Sequence, residues 1–144
     1  MRLFGSNPVK DAKELWRRMV FNILCNNNDD HLRNHGFLWD RKGWRLSPAY
    51  DIVPAPQGSL ERDLAIGVGR NGRQATLRNA LSDVASFGLS RKEAVQTART
   101  MQQTVKNSWV DLFRNGFTPA EIERLRTCFI AVDEPLENEN NEAV

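Results

Sequence analysis

The sequence predicts a mainly α-helical fold with one small β-hairpin. Three observations indicate this. Hydrophobic residues recur every three or four positions in several segments, most of these segments begin at a capping residue, and one short stretch shows two β-type runs around a turn. The chain has 144 residues, of which 40% are hydrophobic, so it is long enough to form one domain with a buried core.

The first predicted helix spans residues 8–25. Asn7 can cap its N-terminus, and Pro8 suits the first turn, where a backbone N–H has no helical partner in any case. The spacing of its apolar residues predicts one broad buried face. These residues are Ala12, Leu15, Trp16, Met19, Val20, Ile23 and Leu24.

A polar loop and a hairpin follow the first helix. Residues 26–30 are all Asn or Asp, whose side chains compete for backbone hydrogen bonds and favour loops over helix. Residues 36–39 and 44–46 flank a turn at 40–43, a pattern typical of a β-hairpin. Residues 47–54 form an irregular segment that contains two prolines.

Residues 57–75 have no helical periodicity and are predicted to be a loop, with a candidate strand at 64–66. Gly67, Gly69 and Gly72 match the glycine spacing of dinucleotide-binding proteins. That motif requires a strand–helix–strand unit, whereas further helices follow here. The same spacing occurs in kinase glycine-rich loops, but those precede the catalytic loop. We therefore interpret these glycines as the turn of a hairpin.

Three more helices are predicted towards the C-terminus, over about residues 76–88, 90–114 and 118–132. Each begins at a Ser or Thr that can cap it, and in the last two a glutamate three residues later predicts a capping box. The caps are Thr76, Ser90 and Thr118.

The acidic residues are unevenly distributed. The segment after Val132 contains Asp133, Glu134, Glu137, Glu139 and Glu142 and no basic residue, so the rest of the chain is more basic than the net charge of +2 suggests. We predict one domain over residues 1–132 and a disordered acidic tail over 133–144. A mildly basic domain permits a phosphate-bearing ligand. Without a dense Lys/Arg block, charge is weak support for nucleic-acid binding.

The chain is predicted to be cytoplasmic. No apolar run approaches the ~20 residues that a membrane span requires, and the N-terminus lacks the apolar core of a secretory signal. Cys25 and Cys128 do not form a CxxC pair, and both lie in apolar helical patterns. They could form a disulfide, but a free buried thiol is the commoner state in such a setting, and we assign both to the core.

The residues best suited to chemistry lie in the polar loop and after the hairpin. Phosphoryl transfer needs a carboxylate that accepts a proton from the hydroxyl group, together with oxygen ligands for magnesium. Protein kinases use an Asp, an Asn five positions later, and a more distant second Asp. Asp29 and Asn34 have this spacing, and the hairpin can return Asp51 beside them. Five positions after Asp30 stands His35, so we expect Asp30 to cap the loop or face solvent.

These segments resemble the C-terminal half of HipA-family serine/threonine kinases, the toxins of bacterial toxin–antitoxin pairs. The resemblance spans roughly residues 13–105. It is carried by residues 27–34, 36–38, 44–51, 71–77 and 87–90. It implies a protein-kinase-like C-lobe of the HipA C-terminal type that uses ATP and Mg²⁺ to phosphorylate a protein. As partners it implies a HipB-like DNA-binding antitoxin, a separate chain that supplies the N-lobe, or both. Direct nucleic-acid contact is not expected.

The resemblance assigns roles to individual residues. Asp29 would be the catalytic base, and Asn34 and Asp51 the magnesium ligands. His31 stands where many kinases place a lysine that faces the phosphates, so His31, Asn34 and Asp51 are the implied cofactor-binding residues. A loop histidine can equally cap a helix or bond a carbonyl group. Asn27 and Tyr50 would support the site.

The residues before Asp29 contain neither the glycine-rich loop nor the strand-borne lysine of a kinase. We therefore expect this chain alone to bind Mg-ATP poorly and to transfer no phosphate, and we expect an exposed groove near the polar loop. The alternative is a non-catalytic binding module that contacts an antitoxin or a companion subunit. Such a module would not need Asp29, Asn34 and Asp51 together.

Two other interpretations receive less support. His31, His35 and Asp29 resemble part of a zinc site, but the two histidines would share a face only on a helix, and the residues around them disfavour one. The tryptophans could stack on bases, but they occupy core-like positions, so we predict that they are buried. These are Trp16, Trp39, Trp44 and Trp109.

Overall fold

The predicted architecture, mainly helical with one hairpin, is confirmed by a computed structural model, which describes residues 4–56, 58 and 61–136. Its helices are α1 (Pro8–Leu24), α2 (Leu77–Ala80), α3 (Arg91–Phe113) and α4 (Pro119–Leu125), and its strands are β1 (Phe37–Trp39) and β2 (Trp44–Leu46). Short 3₁₀ segments occupy Leu32–Asn34, Val84–Phe87 and Arg126–Asp133. No helix in the described ranges is both long and apolar enough to span a membrane.

Helix α1 lies at the centre of the fold, and its start agrees with the prediction. The side chain of Asn7 accepts a hydrogen bond from the backbone N–H of Lys10, and Pro8 occupies the first turn. The helix contacts α2, α3 and both of the later 3₁₀ segments. The largest of the fully buried apolar side chains are Trp16, Ile23, Leu24, Leu64, Leu77, Val20 and Val95.

Both cysteines are free and buried, as the sequence predicts. Burial raises the pKa of the Cys25 thiol to about 12, because the apolar surroundings disfavour the thiolate. Burial also raises the pKa of Cys128. These thiols therefore behave as small core residues rather than as nucleophiles.

The prediction of one continuous helix over residues 76–88 is wrong, because the helix breaks in the middle of this range. It starts as expected, since the Thr76 side chain accepts from the backbone N–H of Asn79, but α2 ends at Ala80. The hydroxyl of Ser82 donates to the carbonyl of Asn79 at 2.7 Å and so takes the place of a backbone donor in the next turn. The chain resumes as a 3₁₀ segment that ends at Gly88 in the left-handed conformation (φ 72°).

The loop before α2 is a narrow hairpin. Its turn joins Gly69 to Gly72, which has a φ of 64°, so the prediction of a glycine-rich turn is confirmed. The candidate strand at 64–66 is wrong, because pairing is limited to an isolated bridge between Asp63 and Gln74. In the described part of the chain no third strand lies beside this bridge, and so short a pairing gives too few hydrogen bonds for a regular sheet.

Gly69 is held tightly against α2, and we predict a large effect of Gly69→Ala. A Cβ atom there would lie 2.0 Å from the backbone oxygen of Asn79, so the backbone would have to move. A loss of about 2–3 kcal/mol in the free energy of unfolding is expected, as for overpacking against backbone. Gly67→Ala is the matched control, since a Cβ at Gly67 meets nothing within 4 Å. Urea unfolding of both variants checks this, and equal stabilities would contradict it.

The caps of the last two helices are as predicted, with one difference. Ser90 caps α3, but the carboxylate of Glu93 pairs with Lys13 of α1 at 2.8 Å. The capping box at the start of α4 is complete, because Thr118 and Glu121 bond each other's backbone.

The final predicted helix, over 118–132, is interrupted. Helix α4 ends at Leu125, and the chain continues as a 3₁₀ segment with a kink at Phe129 (φ −108°, ψ 23°). The kink accompanies stacking of the Phe129 ring on Trp109, with 4.6 Å between centroids and an interplanar angle of 15°. Burying this ring against α3 outweighs the preference for a continuous helix.

The predicted acidic tail is described only through residue 136, and residues 137–144 lie outside the described ranges. Glu134 contacts the domain, since its carboxylate accepts from the backbone N–H of Leu77 at 2.9 Å and its carbonyl from the Gln102 amide at 2.7 Å. The domain boundary at Val132 stays a prediction.

The prediction that all four tryptophans are buried is half wrong. Trp16 and Trp109 are 0% and 6% exposed, but Trp39 and Trp44 are 58% and 45% exposed. The last two face each other across the hairpin, edge to face, at 5.6 Å. In the described ranges the hairpin has two strands and contacts α1 mainly through β2, which leaves Phe37, Leu38, Trp39 and Trp44 exposed to solvent.

Candidate active site

The polar loop begins at a defined helix end. The backbone N–H of Asn27 bonds the carbonyl of Asn22 at 2.9 Å, and that of Asn26 bonds the carbonyl of Ile23 at 3.4 Å. Asn26 has a φ of 52°. This is a Schellman motif, in which asparagine adopts the left-handed conformation more readily than other side-chain-bearing residues. The asparagines thus end α1 at a set point and direct the chain into the loop.

The loop itself places Asp29 and Asn34 side by side. The side-chain amide of Asn34 donates to the carbonyl of Asp29 at 3.3 Å. Residues 31–35 form a tight turn, with backbone bonds from His31 to Asp29 and from Asn34 to His31, both of 2.9 Å. Asp29 is exposed and Asn34 is 6% exposed. The loop therefore presents one carboxylate to solvent, beside an amide whose nitrogen is held by the backbone.

His31 lies in the same turn but is only half-buried. It precedes the 3₁₀ turn without forming a side-chain cap bond, and its Nδ1 atom is buried without a hydrogen-bond partner in the described part of the chain. Its assignment to phosphate contact stays a prediction.

Asp30 differs from expectation, because it neither caps the loop nor faces solvent. It is 4% exposed, and its Oδ2 atom accepts from the side-chain amide of Asn22 at 2.6 Å. Oδ1 lies 3.1 Å from Nε2 of His35, an ion pair only when the imidazole carries a proton, and the approach falls outside hydrogen-bond geometry. Asp29 is exposed, but the next residue, Asp30, can lie in the interior because Asn22 of α1 offers its carboxylate a buried donor.

Two charged residues of α1 anchor the returning strand of the hairpin. Asp11, 2% exposed, accepts three bonds from Nε and Nη2 of the Arg45 guanidinium at 2.9–3.0 Å and one from the backbone N–H of Leu46 at 3.3 Å. Arg18 donates to the carbonyl of Ser47. These contacts set where the chain leaves β2 and enters the segment that contains Asp51.

The segment around Asp51 is attached to the polar loop on both sides of that residue. The hydroxyl of Tyr50 donates to the carbonyl of Arg33 at 2.7 Å, and the side-chain amide of Asn26 donates to the carbonyl of Ala55 at 2.7 Å. Asp51 itself is exposed and has a φ of 57°, a conformation that costs energy for a side-chain-bearing residue and is rare outside functional or tightly determined positions. Asp29 and Asn34 are thus bonded directly, whereas Asp51 is joined to their loop through its neighbours.

Asn27 and Tyr50 both form hydrogen bonds in this region, and their supporting roles at a functional site stay a prediction. Asn27 is 3% exposed and donates to the side-chain oxygen of Asn22 at 3.0 Å. Asn22, Asn27, Asp30 and His35 form one buried polar cluster under the loop. Of these, Asn22, Asp30 and His35 were not predicted to lie together. The detectable signal was Asn22, a polar residue beside the apolar face of α1, since a buried amide requires a partner.

A zinc-type cluster is not assembled in the described ranges. Over residues 4–56, 58 and 61–136, no three His, Cys, Asp or Glu side chains are grouped so that they could hold a metal ion. His31, His35 and Asp29 therefore do not form a three-ligand site of that type there.

An exposed apolar surface lies on the hairpin and the loop. Its members are Leu32, Phe37, Leu38, Trp39, Trp44, Tyr50 and Val53. Leu32, next to His31 in the turn, is 77% exposed, and Val53, two residues after Asp51, is 60% exposed. Exposed apolar residues thus adjoin the candidate site along the chain, while the groove expected there stays a prediction.

Residues 1–109 match the family model described as "HipA-like C-terminal domain". Two curated relatives from Sinorhizobium fredii are similar. "Putative kinase Y4dM" is 34% identical over 75% of this chain, and "Putative kinase Y4mE" is 27% identical over 49% of it. A "Putative kinase" of Haemophilus influenzae is 38% identical over 33%. The chain spans only 28%, 17% and 14% of the lengths of these relatives, in that order.

A solved structure shares the fold. The Shewanella oneidensis toxin–antitoxin complex of HipA, HipB and operator DNA contains a chain that matches with a TM-score of 0.67 and 16% identity. The match covers 83% of this chain and 29% of the other.

Proposed function

We propose that this chain, which belongs to the family of HipA-like C-terminal domains, is the magnesium- and phosphate-handling part of a Ser/Thr protein kinase. The observation that supports this most directly is the pair of contacts around Asp51. Tyr50 and Asn26 attach its segment to the loop in which Asn34 is bonded to Asp29. These bonds connect the backbone segments that carry Asp29, Asn34 and Asp51, the three oxygen-bearing residues that we propose for the kinase site.

Each residue has a proposed role that follows from its environment. Asp29 is exposed and can accept the proton of an incoming hydroxyl group. Asn34 uses its amide nitrogen within the loop, which orients its oxygen as a ligand, and the exposed carboxylate of Asp51 is the second ligand. Bound magnesium would supply charge neutralisation for the nucleotide phosphates. His31 is the proposed γ-phosphate contact.

The reaction we propose requires a second part of the kinase. A glycine-rich loop and a strand-borne lysine hold ATP from the other side in kinases, and the curated relatives are more than three times as long as the segment that matches this chain. We therefore propose that this chain alone binds Mg-ATP weakly and transfers no phosphate, and that it acts in the cytoplasm together with an N-lobe. The exposed apolar surface beside the loop is available for such a contact.

The second candidate is a non-catalytic module that binds an antitoxin or a companion subunit. The exposed aromatic residues of the hairpin favour it, because tryptophan and phenylalanine are enriched where proteins meet. The solved relative is in a complex with HipB and DNA, and we propose a HipB-like antitoxin as one partner. The two candidates differ in a direct way, since only the kinase requires a divalent metal site at Asn34 and Asp51.

A titration with Mn²⁺ tests the metal site on this chain without a second lobe. Mn²⁺ accepts the same oxygen ligands as Mg²⁺ and broadens nearby amide signals in NMR spectra. We expect broadening centred on residues 29, 34 and 51, and we expect Asp51→Asn to weaken the apparent affinity by about tenfold or more, the size of effect seen when metal-site contacts are lost.

Asp63→Asn is the control for this titration, because Asp63 is an exposed carboxylate paired with Arg73 in the glycine hairpin. It should leave the affinity unchanged. Broadening spread evenly over acidic surface residues, with no effect of Asp51→Asn, would remove the support for a kinase site and favour the binding module.

A further inference from the structure

The buried carboxylate of Asp30 is not used by the proposed mechanism, and its position calls for an explanation. Burying a carboxylate costs free energy unless its oxygens find donors. Asp30 is 4% exposed and receives one short bond, 2.6 Å, from the amide of Asn22, which is itself 1% exposed. An apolar residue at this place would not incur that cost, so the carboxylate must do something that packing alone does not require.

Two side-chain amides in series donate hydrogen bonds towards the carboxylate of Asp30. Asn27 donates its amide to Asn22 at 3.0 Å, and Asn22 in turn donates its amide to Asp30 at 2.6 Å. Because the oxygen of Asn22 is occupied by a donor, its nitrogen is directed at residue 30, where only an acceptor fits. This chain of bonds connects the loop to the C-terminal end of α1, where the neighbouring Ile23 and Leu24 are fully buried.

The carboxylate of Asp30 also lies close to His35, at the C-terminal end of the loop. Asp30 directly follows Asp29, and His35 directly follows Asn34. The side chains of Asp30 and His35 approach each other to 3.1 Å. Apart from this cluster, the hydrogen bonds of residues 29–35 within the described part of the chain are short-range turn bonds, the bond from Asn34 to Asp29, and the bond from Tyr50 to Arg33. The bond from Asn22 therefore ties the backbone beside Asp29 to a rigid helix, and the approach of His35 places the residue after Asn34 against the same carboxylate.

We propose that Asp30 is a positioning residue. By linking the loop to Asn22 of α1, Asp30 holds Asp29 and Asn34 at the separation that a shared metal–phosphate group requires. This inference rests on the proposed function for what the loop binds, but its structural part, the attachment of the loop, is independent of it. Functional groups set by a surrounding hydrogen-bonded shell are held more precisely than groups set by a loop alone.

The test compares three variants of this chain by two measurements. The first is hydrogen exchange of the amides of residues 31, 34 and 35, which bond within the loop. The second is the apparent affinity for Mn²⁺ from amide broadening. We expect Asp30→Ala to speed exchange at these amides by about tenfold or more relative to the rest of the chain, since local opening becomes easier. It should also weaken Mn²⁺ binding by about 10–100-fold.

Asp30→Asn separates positioning from charge. Asparagine keeps an oxygen for Asn22 and can present its amide to a neutral His35, so positioning predicts exchange and Mn²⁺ affinity within about threefold of the unmodified chain. If Asp30→Asn weakens Mn²⁺ binding as much as Asp30→Ala does, residue 30 acts through its negative charge, and the proposal is overturned.

Asn79→Ala controls for a general loss of stability. Asn79 is 0% exposed, and its side chain bonds only residues of the glycine hairpin and Ser82 among the described contacts. It should lower Tm without changing exchange in the loop. If Asp30→Ala leaves loop exchange unchanged, or loosens the loop without weakening Mn²⁺ binding, the proposal fails. If the unmodified chain binds no Mn²⁺ at residues 29, 34 and 51 but the loop loosens as expected, the proposed function fails and the loop attachment stands.

Discussion

Asp29→Asn is expected to lower phosphotransfer by about 10²–10⁴-fold, the contribution of a general base in the transition state. Asparagine has nearly the same shape as aspartate but cannot accept the proton of the attacking hydroxyl group. Asp29 is exposed and its backbone carbonyl, rather than its carboxylate, receives the bond from Asn34. The substitution should therefore leave the loop intact and remove only the proton acceptor.

The measurement requires the chain to be combined with a polypeptide that supplies the N-lobe, because we expect no transfer from this chain alone. Transfer of labelled γ-phosphate to protein is then followed with time. Asp111→Asn is a matched control, since Asp111 is an exposed carboxylate on α3 that pairs with Arg114. Full activity of the Asp29→Asn complex would exclude this base.

Mn²⁺ binding by the same Asp29→Asn variant adds a second criterion. A base that is not a metal ligand can be lost without weakening the metal site, so we expect the affinity for Mn²⁺ to remain close to that of the unmodified chain. A loss of Mn²⁺ binding together with activity would identify Asp29 as a ligand instead.

Trp16→Ala is expected to reduce the free energy of unfolding by about 3–5 kcal/mol, the usual loss when a large core side chain is truncated. Trp16 is 0% exposed on α1, and its indole N–H donates to the carbonyl of Ala80 at 2.9 Å. Truncation would leave a cavity between α1 and α2 and a buried carbonyl without its donor. Urea unfolding followed by circular dichroism gives the value directly.

Trp39→Ala is the matched control for this prediction. It removes the same side chain from a position that is 58% exposed and in ring contact with Trp44. We expect a loss of about 1 kcal/mol or less, as for a cross-strand aromatic pair. Similar losses for Trp16→Ala and Trp39→Ala would mean that the hairpin is buried against part of the chain or against a second copy.

Much of the site could be predicted from local sequence. The spacing of Asp29 and Asn34 and the return of the chain to Asp51 are properties of one continuous segment, and the run of asparagines that ends α1 is visible without coordinates. The burial of Asp30 could not be predicted, because it depends on Asn22, eight residues away on a helix. Adjacent aspartates look alike in sequence and are distinguished only by the direction in which the folded loop turns each of them.

By itself, the sequence determined the helical class, the hairpin, the helix starts and the family resemblance, because capping, periodicity and turn chemistry act over a few neighbouring residues. Tertiary structure decided where two of the predicted helices break, since the Ser82 hydroxyl also accepts from the backbone N–H of Arg70 and the Phe129 ring stacks on Trp109. It also decided which tryptophans are buried. Trp16 and Trp39 have the same intrinsic preference for the interior, but several elements pack around α1, whereas β1 contacts mainly β2 among the described residues.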